Sequence, residues 1–262
     1  MLWDVPLLAK SVVHPDPKRP FAAIAVVAID LTRVELHMLA GTKEPESMRV
    51  PRERRKGLIP SSDYADLLAA FNGGFKAVHG HYGMRTGEDT FVVPRDIGCT
   101  IAFYRSGSLG IATWSAIKSR DSEMTAYRQT PPCLVERGEA HVGLGQEYNR
   151  AWGAAVDGDT IIRRSAMGLS ADGKTLYYGL GEAVTAQSMG RGMSAVGASD
   201  VAELDINYSY PRFLFFGHDD RHKGEPRVKS GIIKDLKYKA EDYIIEPSTR
   251  DFFYLTRRSP TS

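Results

Sequence analysis

Along the first part of the chain the apolar positions keep the two-residue period of a sheet. "IAVVAID" (Ile24–Asp30) and "VELHML" (Val34–Leu39) flank a short turn at Leu31-Thr32-Arg33, which predicts a β-hairpin. A basic loop carrying Pro51 follows. The pattern then changes in "SSDYADLLAAF". Ser62 or Asp63 can cap a helix there, with Tyr64, Leu67 and Leu68 on one face. Strand-like stretches resume between glycine turns, in "CTIAFYR", "LGIATW" and "PCLVERG". "TIIRRSAMGL" and "TLYYGL" bracket "SADGK", where Asp172-Gly173 supplies the positive φ of a tight hairpin. A second helix is predicted over "VTAQSMGRGMSAVGAS": Thr185 caps it, Met189, Met193 and Val196 form one stripe, and Gly197 ends it. "GHDDRHKGEPRVKSG" reads as a long surface loop, and "YIIEP" and "DFFYL" as late strands.

Many strands, two principal helices and no low-complexity linker predict one α+β domain over residues 1–262. A weak internal echo accompanies this. Each helix leads into a short apolar segment, "LLAAF" before Asn72 and "VAELDI" before Asn207, as an internal duplication or coincidence would leave it.

The 262 residues suffice for a real core, and 42% hydrophobic with 25% charged residues is a globular balance. Lys plus Arg number 34 against 32 Asp plus Glu, so no global nucleic-acid footprint is expected. The densest basic run, Arg49 to Lys56, reads as a solvated loop. No run approaches the roughly 18 apolar residues of a membrane span. The N-terminus lacks the basic start and apolar stretch of a signal peptide, so either the chain is cytoplasmic or a leader lies outside it. Cys99 and Cys133 match no zinc or CxxC spacing and adjoin apolar segments. Buried free thiols are expected, and pairing would imply an oxidising compartment.

Candidate chemistry collects in three places. In "VAELDINYSY" a strand places Glu203, Asp205, Asn207 and Ser209 on one face and Ala202, Leu204, Ile206 and Tyr208 on the other. Residues two apart on a strand are separated by about 6.6 Å, which permits Glu203 and Asp205 to work as a carboxylate pair with divided pKa values. "IIRRSAMG" puts Arg163 and Arg164 on opposite faces, and an inward-facing Arg needs an anion or a carboxylate. Asn72-Gly73-Gly74 lets backbone approach a ligand and expose its amides, unless it is a plain hairpin turn. Lys76, His79 and His81 follow on a glycine-bounded loop. His79-Gly80-His81 is too sparse to predict a metal, so no cofactor is expected, a divalent ion being the lesser alternative.

In order and spacing, these pieces resemble the phosphodiester glycosidase domain family, whose best-known member is the lysosomal uncovering enzyme and which has many bacterial relatives. The resemblance runs from about Phe21 to Phe216. It rests on "AIAVVAIDLTRVELHMLAGTKEP", "AAFNGGF", "QTPPCLVERGEA", "RRSAMGLSADGKTLYYGL" and "AVTAQSMGRGMSAVGASDVAELD". It implies curved antiparallel sheets wrapped around two central helices, with C-terminal strands added, and extracytoplasmic work. Asn72, Arg164, Thr185 and Asp205 fall on matching elements. The family's glycine-rich "DGGGS" is here "DINYS": Asp205 and Ser209 remain, while Ile206, Asn207 and Tyr208 add bulk where a sugar or phosphate would approach.

The resemblance implies hydrolysis of a glycosyl phosphodiester, with a carbohydrate or sugar-phosphate as partner. In that mechanism Arg164, helped by Lys76, holds the phosphate, and Asp205, with Glu203 as substitute, is base or nucleophile. Asn72, Gly73, Gly74, His79, Thr185, Asn207, Tyr208 and Ser209 complete the binding site. The rival reading is a non-catalytic carbohydrate-binding or cell-envelope interaction module, favoured by the lost glycines. A metal-dependent phosphodiesterase would require His79, His81 and Asp205 to converge.

Overall fold

A computed structural model of the chain describes residues 6–146, 150–154, 160–218 and 224–258. Among them the strands form three antiparallel sheets. The seven-stranded sheet runs in the order β1 (Leu8–Val13), β2 (Ile24–Asp30), β13 (Thr175–Val184), β12 (Ile162–Leu169), β14 (Asp200–Ile206), β10 (Val135–Glu136) and β11 (Glu139–Ala140). One five-stranded sheet is ordered β16 (Pro226–Gly231), β15 (Phe213–His218), β4 (Leu67–Asn72), β17 (Phe252–Arg257) and β3 (Val34–Leu39). The other is ordered β6 (Asp89–Val92), β5 (Met84–Thr86), β9 (Met124–Thr130), β7 (Cys99–Tyr104) and β8 (Leu109–Thr113). The described α-helices are α1 (Trp114–Ile117), a single turn, and α2 (Ala186–Ala195).

The expected pair of central helices is therefore corrected to a sheet-dominated fold with one substantial helix. Ser61–Asp66 forms only a short 3-10 segment, and Leu67–Asn72 is strand β4, hydrogen-bonded to β15 and β17. All of β4 except Leu68 is buried, because both of its faces are covered. A strand buried on both faces reads as one apolar run, and periodicity cannot separate such a run from a helix. The supposed internal echo loses its first helix with this correction.

The second helix stands as expected. Thr185 Oγ1 accepts a hydrogen bond from Ser188 N at 3.0 Å, and Met189 and Met193 are fully buried in a cluster with Ile24, Val26, Ala166 and Val201. Such burial is worth about 1.5–3 kcal/mol per side chain. Gly197 has φ +105°, the left-handed region that closes a helix. The hairpin between β12 and β13 also forms, with Gly173 at φ +70°.

Other expectations change. β2 and β3 are strands, but they do not pair: β2 bonds β1 and β13, whereas β3 bonds β17. The turn between them thus carries the chain from one sheet to another. The expected surface loop at 217–231 is largely strand, with β15 and β16 paired across it; residues 219–223 of that call lie outside the described residues. "YIIEP" makes only a turn, with Tyr243 at φ +68°, while "DFFYL" supplies β17 as expected.

The main core draws on all three sheets. Phe71 of β4 stacks on Phe213 of β15 and Phe253 of β17, with ring centroids 5.3 and 5.4 Å apart, and Val27, Tyr178 and Ile101 belong to the same cluster. No described helix is long and apolar enough to cross a membrane.

Cys99 and Cys133 form a disulfide, not two free thiols. It joins the first residue of β7 to the segment just before β10, and so two different sheets. Spacing along the chain could not show this, because the two cysteines become neighbours only through sheet packing. The bond spans a sequence separation of 34. Replacing both cysteines by Ser should lower the unfolding free energy by about 2–4 kcal/mol in denaturant titration, since a crosslink restricts the unfolded chain. A change below about 0.5 kcal/mol would show that the link contributes nothing to stability.

Candidate active site

β4 delivers Asn72 to the centre of the molecule. Its side chain is fully buried and fully engaged: Nδ2 donates to Ser165 Oγ and Gly73 O at 2.9 Å each, and Oδ1 accepts from Tyr178 Oη at 2.8 Å and Arg212 N at 3.1 Å. The two glycines that follow are held by Asp251. Gly73 N donates to Asp251 O at 2.9 Å and Gly74 N to Asp251 Oδ2 at 3.0 Å, and the Tyr210 hydroxyl donates to the same Asp251 carbonyl. A Cβ on Gly73 would run into the Asp251 carboxylate, and one on Gly74 would lie 2.9 Å from the Arg128 guanidinium. Glycine is therefore required by close packing, and these amides are spent inside the protein.

Asp251 is itself neutralised by Arg128. Both side chains are completely buried, with Nε 2.7 Å from Oδ2, and Arg128 also donates to the carbonyls of Phe75 and Gln129 at 2.6 and 2.7 Å. Such a pair is tolerable because its remaining donors find carbonyls.

β14 lies beside β12, and a register shift at Ser165/Ala166 places Ser165 opposite Asp205 and Ala166 opposite Glu203. The expected split of β14 into an apolar and a polar face does not occur, because both faces are buried from Val201 to Asp205. Glu203 pairs with Arg164, Nη1 to Oε1 at 2.6 Å. Arg164 also donates to the carbonyls of Trp152, Val184, Gly153 and Thr160. The inward arginine thus meets its carboxylate, and its guanidinium is surrounded by protein acceptors. Burial pushes Glu203 up to about 7, against the pull of Arg164. Arg163 faces the other way, to Glu182 at 2.8 Å and beneath the exposed Tyr208 ring.

Two residues further on, Asp205 reaches an open cleft of about 490 Å³. Lys76, His79, Asn207, Ser209, Arg150 and Arg250 also line it, with Phe75, Tyr82 and Ile206 as apolar walls. Arg250 Nη1 lies 2.8 Å from Asp205 Oδ2, its Nη2 donates to Gly74 O at 2.8 Å, and its guanidinium stacks 3.7 Å from the Tyr210 ring centre. Burial raises the Asp205 carboxyl to about 6, although Arg250 pulls the other way. A carboxyl raised by burial and set beside cations in a cleft is a candidate for acid–base or nucleophilic chemistry.

The cleft therefore gathers Asp205, Asn207, Ser209, Lys76 and His79 from among the expected residues. Asn72, Gly73, Gly74, Arg164 and Glu203 lie in the buried framework behind it, Thr185 caps α2, and Tyr208 stands out in solvent. Sequence reasoning missed Arg250, Asp251, Arg128 and Arg150. The signal for three of these was charge set against buried strand sequence: Arg250-Asp251 directly precedes "FFYL", and Arg128 interrupts β9 between Tyr127 and Gln129. Among the described residues no three His, Cys, Asp or Glu side chains come together as a metal group, so His79, His81 and Asp205 do not form one.

No family model and no curated protein matches the sequence. Solved structures match the fold. The catalytic domain of zebrafish N-acetylglucosamine-1-phosphodiester alpha-N-acetylglucosaminidase, auto-inhibited by its pro-peptide, superposes with a TM-score of 0.57 at 13% identity, over 97% of this chain and 85% of that one. A hypothetical protein from Synechocystis superposes with a TM-score of 0.50 at 10% identity, over 90% of this chain and 59% of that one, so this chain spans under two thirds of its length. At such identities the likeness is one of fold alone.

Replacing Glu203 by Ala leaves the Arg164 charge buried without a carboxylate. It should cost about 3–5 kcal/mol of stability in denaturant unfolding. A loss under about 1 kcal/mol would mean that the backbone carbonyls alone satisfy Arg164.

Proposed function

We propose that this protein hydrolyses a glycosyl phosphodiester, taking a sugar-1-phosphate ester into the cleft at Asp205. The observation that carries this reading is the Asp205–Arg250 pair at the wall of a cavity whose other Lys and Arg side chains are Lys76 and Arg150. The fold likeness to a phosphodiester glycosidase catalytic domain supports it.

In this mechanism the C1–O bond to phosphate breaks and a C1–O bond to water forms. Phosphate is a good leaving group, so the demand on an acid is light and the demand on positioning is heavy. Lys76, Arg150 and the outer edge of Arg250 receive the phosphate oxygens. Asp205, as carboxylate, draws the proton from water or meets the anomeric carbon itself. Arg164 and Glu203 act from behind, holding β12 against β14, and Asn72 with Gly73-Gly74 fixes the floor on which Arg250 rests. Ser209 faces the sugar side of the cleft.

The reading of the chain as a non-catalytic carbohydrate-binding module has its own support: Ile206 occupies the cleft wall where a glycine-rich signature would leave room.

Asp205→Asn, assayed against a panel of sugar-1-phosphodiesters, should lose at least about 100-fold in kcat/KM while still folding. Unchanged turnover removes Asp205 from the mechanism, and binding without product release by the native protein favours the module. The pH profile gives a second test. Asp205 works ionised, and its carboxyl is raised to about 6. Activity should therefore fall about tenfold per pH unit on the acid side of 6 and level off above it. An acid limb near 4, where an ordinary carboxylate titrates, would contradict the assignment.

A further inference from the structure

Where the glycines of "DGGGS" would lie, this chain has Ile206-Asn207-Tyr208, and Asn207 makes contacts that a glycine cannot. Its Oδ1 accepts from Ser209 N at 2.9 Å, Ser209 Oγ at 3.1 Å and Tyr210 N at 2.6 Å. These donors close the turn between β14 and β15 in the manner of an Asx turn. They also settle the orientation of the amide, since the atom receiving backbone N–H groups must be oxygen. The other end is then the NH2 group, and Nδ2 donates to Asp205 Oδ2 at 2.9 Å.

Arg250 reaches that same oxygen from the segment before β17, at 2.8 Å. Two donors from separate parts of the chain thus converge on Oδ2, and among the described residues no side chain bonds Oδ1. With both side-chain donors on Oδ2, the carboxylate cannot exchange its two oxygens by rotation without breaking both contacts. We propose that Asn207 is a positioning residue which, together with Arg250, ties down Oδ2 of Asp205 and so selects Oδ1 as the oxygen that meets the substrate. This rests on the glycosidase reading of the cleft, but the restraint on Asp205 is a property of the free protein.

Several charges act on Asp205 besides the amide. Arg250 and Asp251 face it from the segment before β17, Glu203 lies on its own strand, Tyr178 interacts with it from β13, and Lys76, His79 and Arg150 share the cleft. A hydrogen bond donated to the ionised form favours that form. Loss of the Asn207 donor therefore moves the Asp205 titration upward, and a neutral replacement leaves the surrounding charges as they were.

The test is a ¹³C NMR titration of the Asp205 carboxyl in the free protein, for native, Asn207→Ala and Asn207→Asp, alongside kinetics. Asn207→Ala should raise the midpoint by about one pH unit. Its kcat should fall at least about tenfold, with KM within about threefold, as expected when alignment and not binding is lost. Asn207→Asp keeps an acceptor for the turn but cannot donate when ionised, so its midpoint should lie higher still. A native midpoint in Asn207→Ala overturns the proposal and leaves Asn207 a turn residue only. If Asn207→Ala does not fold, an unchanged midpoint in Asn207→Asp overturns it equally. Should the native protein turn over no glycosyl phosphodiester, the functional reading fails, while the titration still decides whether Asn207 restrains Asp205.

Discussion

Two adjacent residues, Arg250 and Asp251, point in opposite directions, and the site depends on that divergence. Asp251 turns inward, where it neutralises Arg128 and binds the amide of Gly74 through its carboxylate. Arg250 turns outward, where it pairs with Asp205 and donates to the carbonyl of the same Gly74. One short stretch before β17 thereby fixes the end of β4, the end of β14 and the cleft between them. Every charge in this junction has a partner of opposite sign. A buried unpaired member would cost several kcal/mol, so the arrangement holds together or fails as a unit.

The framework and the cleft divide the labour. Asn72, Ser165 and Tyr178 form a buried polar chain linking β4 to β12 and β13, with all of Asn72's hydrogen-bonding capacity used. Arg164 and Glu203 do the same between β12 and β14. Neither group has polar capacity left for a ligand beyond the second oxygen of Glu203, which has no hydrogen-bond partner among the described residues. The side chains that line the cleft, Asp205, Arg250, Lys76 and Arg150, lie one layer outward. The hydrogen bonds of Asn72 are fully satisfied, a condition that makes a buried polar network rigid, and rigidity is what positions the outer layer.

The sequence showed half of this. Asp205, Asn207 and Ser209 were legible because the exit of β14 into "NYSY" marks a strand end facing a pocket. Helix α2 was legible from its cap, its methionine stripe and its closing glycine. β4 was not, because an alanine-rich run buried on both faces has no period to read. The asparagine and glycines after it stand out in the sequence, but the use of their amides does not: their partner Asp251 lies far along the chain, and only sheet pairing between β4 and β17 brings it near. The same applies to Arg250 and to the disulfide. Local pattern identifies elements and strand ends, whereas charge partners across sheets emerge from topology.

The central claim is that the Asp205–Arg250 cleft receives an anionic sugar ester with the anomeric carbon turned to Asp205. A crystal structure of the protein soaked with a non-hydrolysable glycosyl phosphonate tests it most directly. The account predicts phosphonate oxygens among Lys76, Arg150 and Arg250, and the anomeric carbon within about 3.5 Å of Asp205 Oδ1. A phosphonate bound elsewhere on the surface, or a sugar turned away from Asp205 with its ring toward solvent, would contradict it.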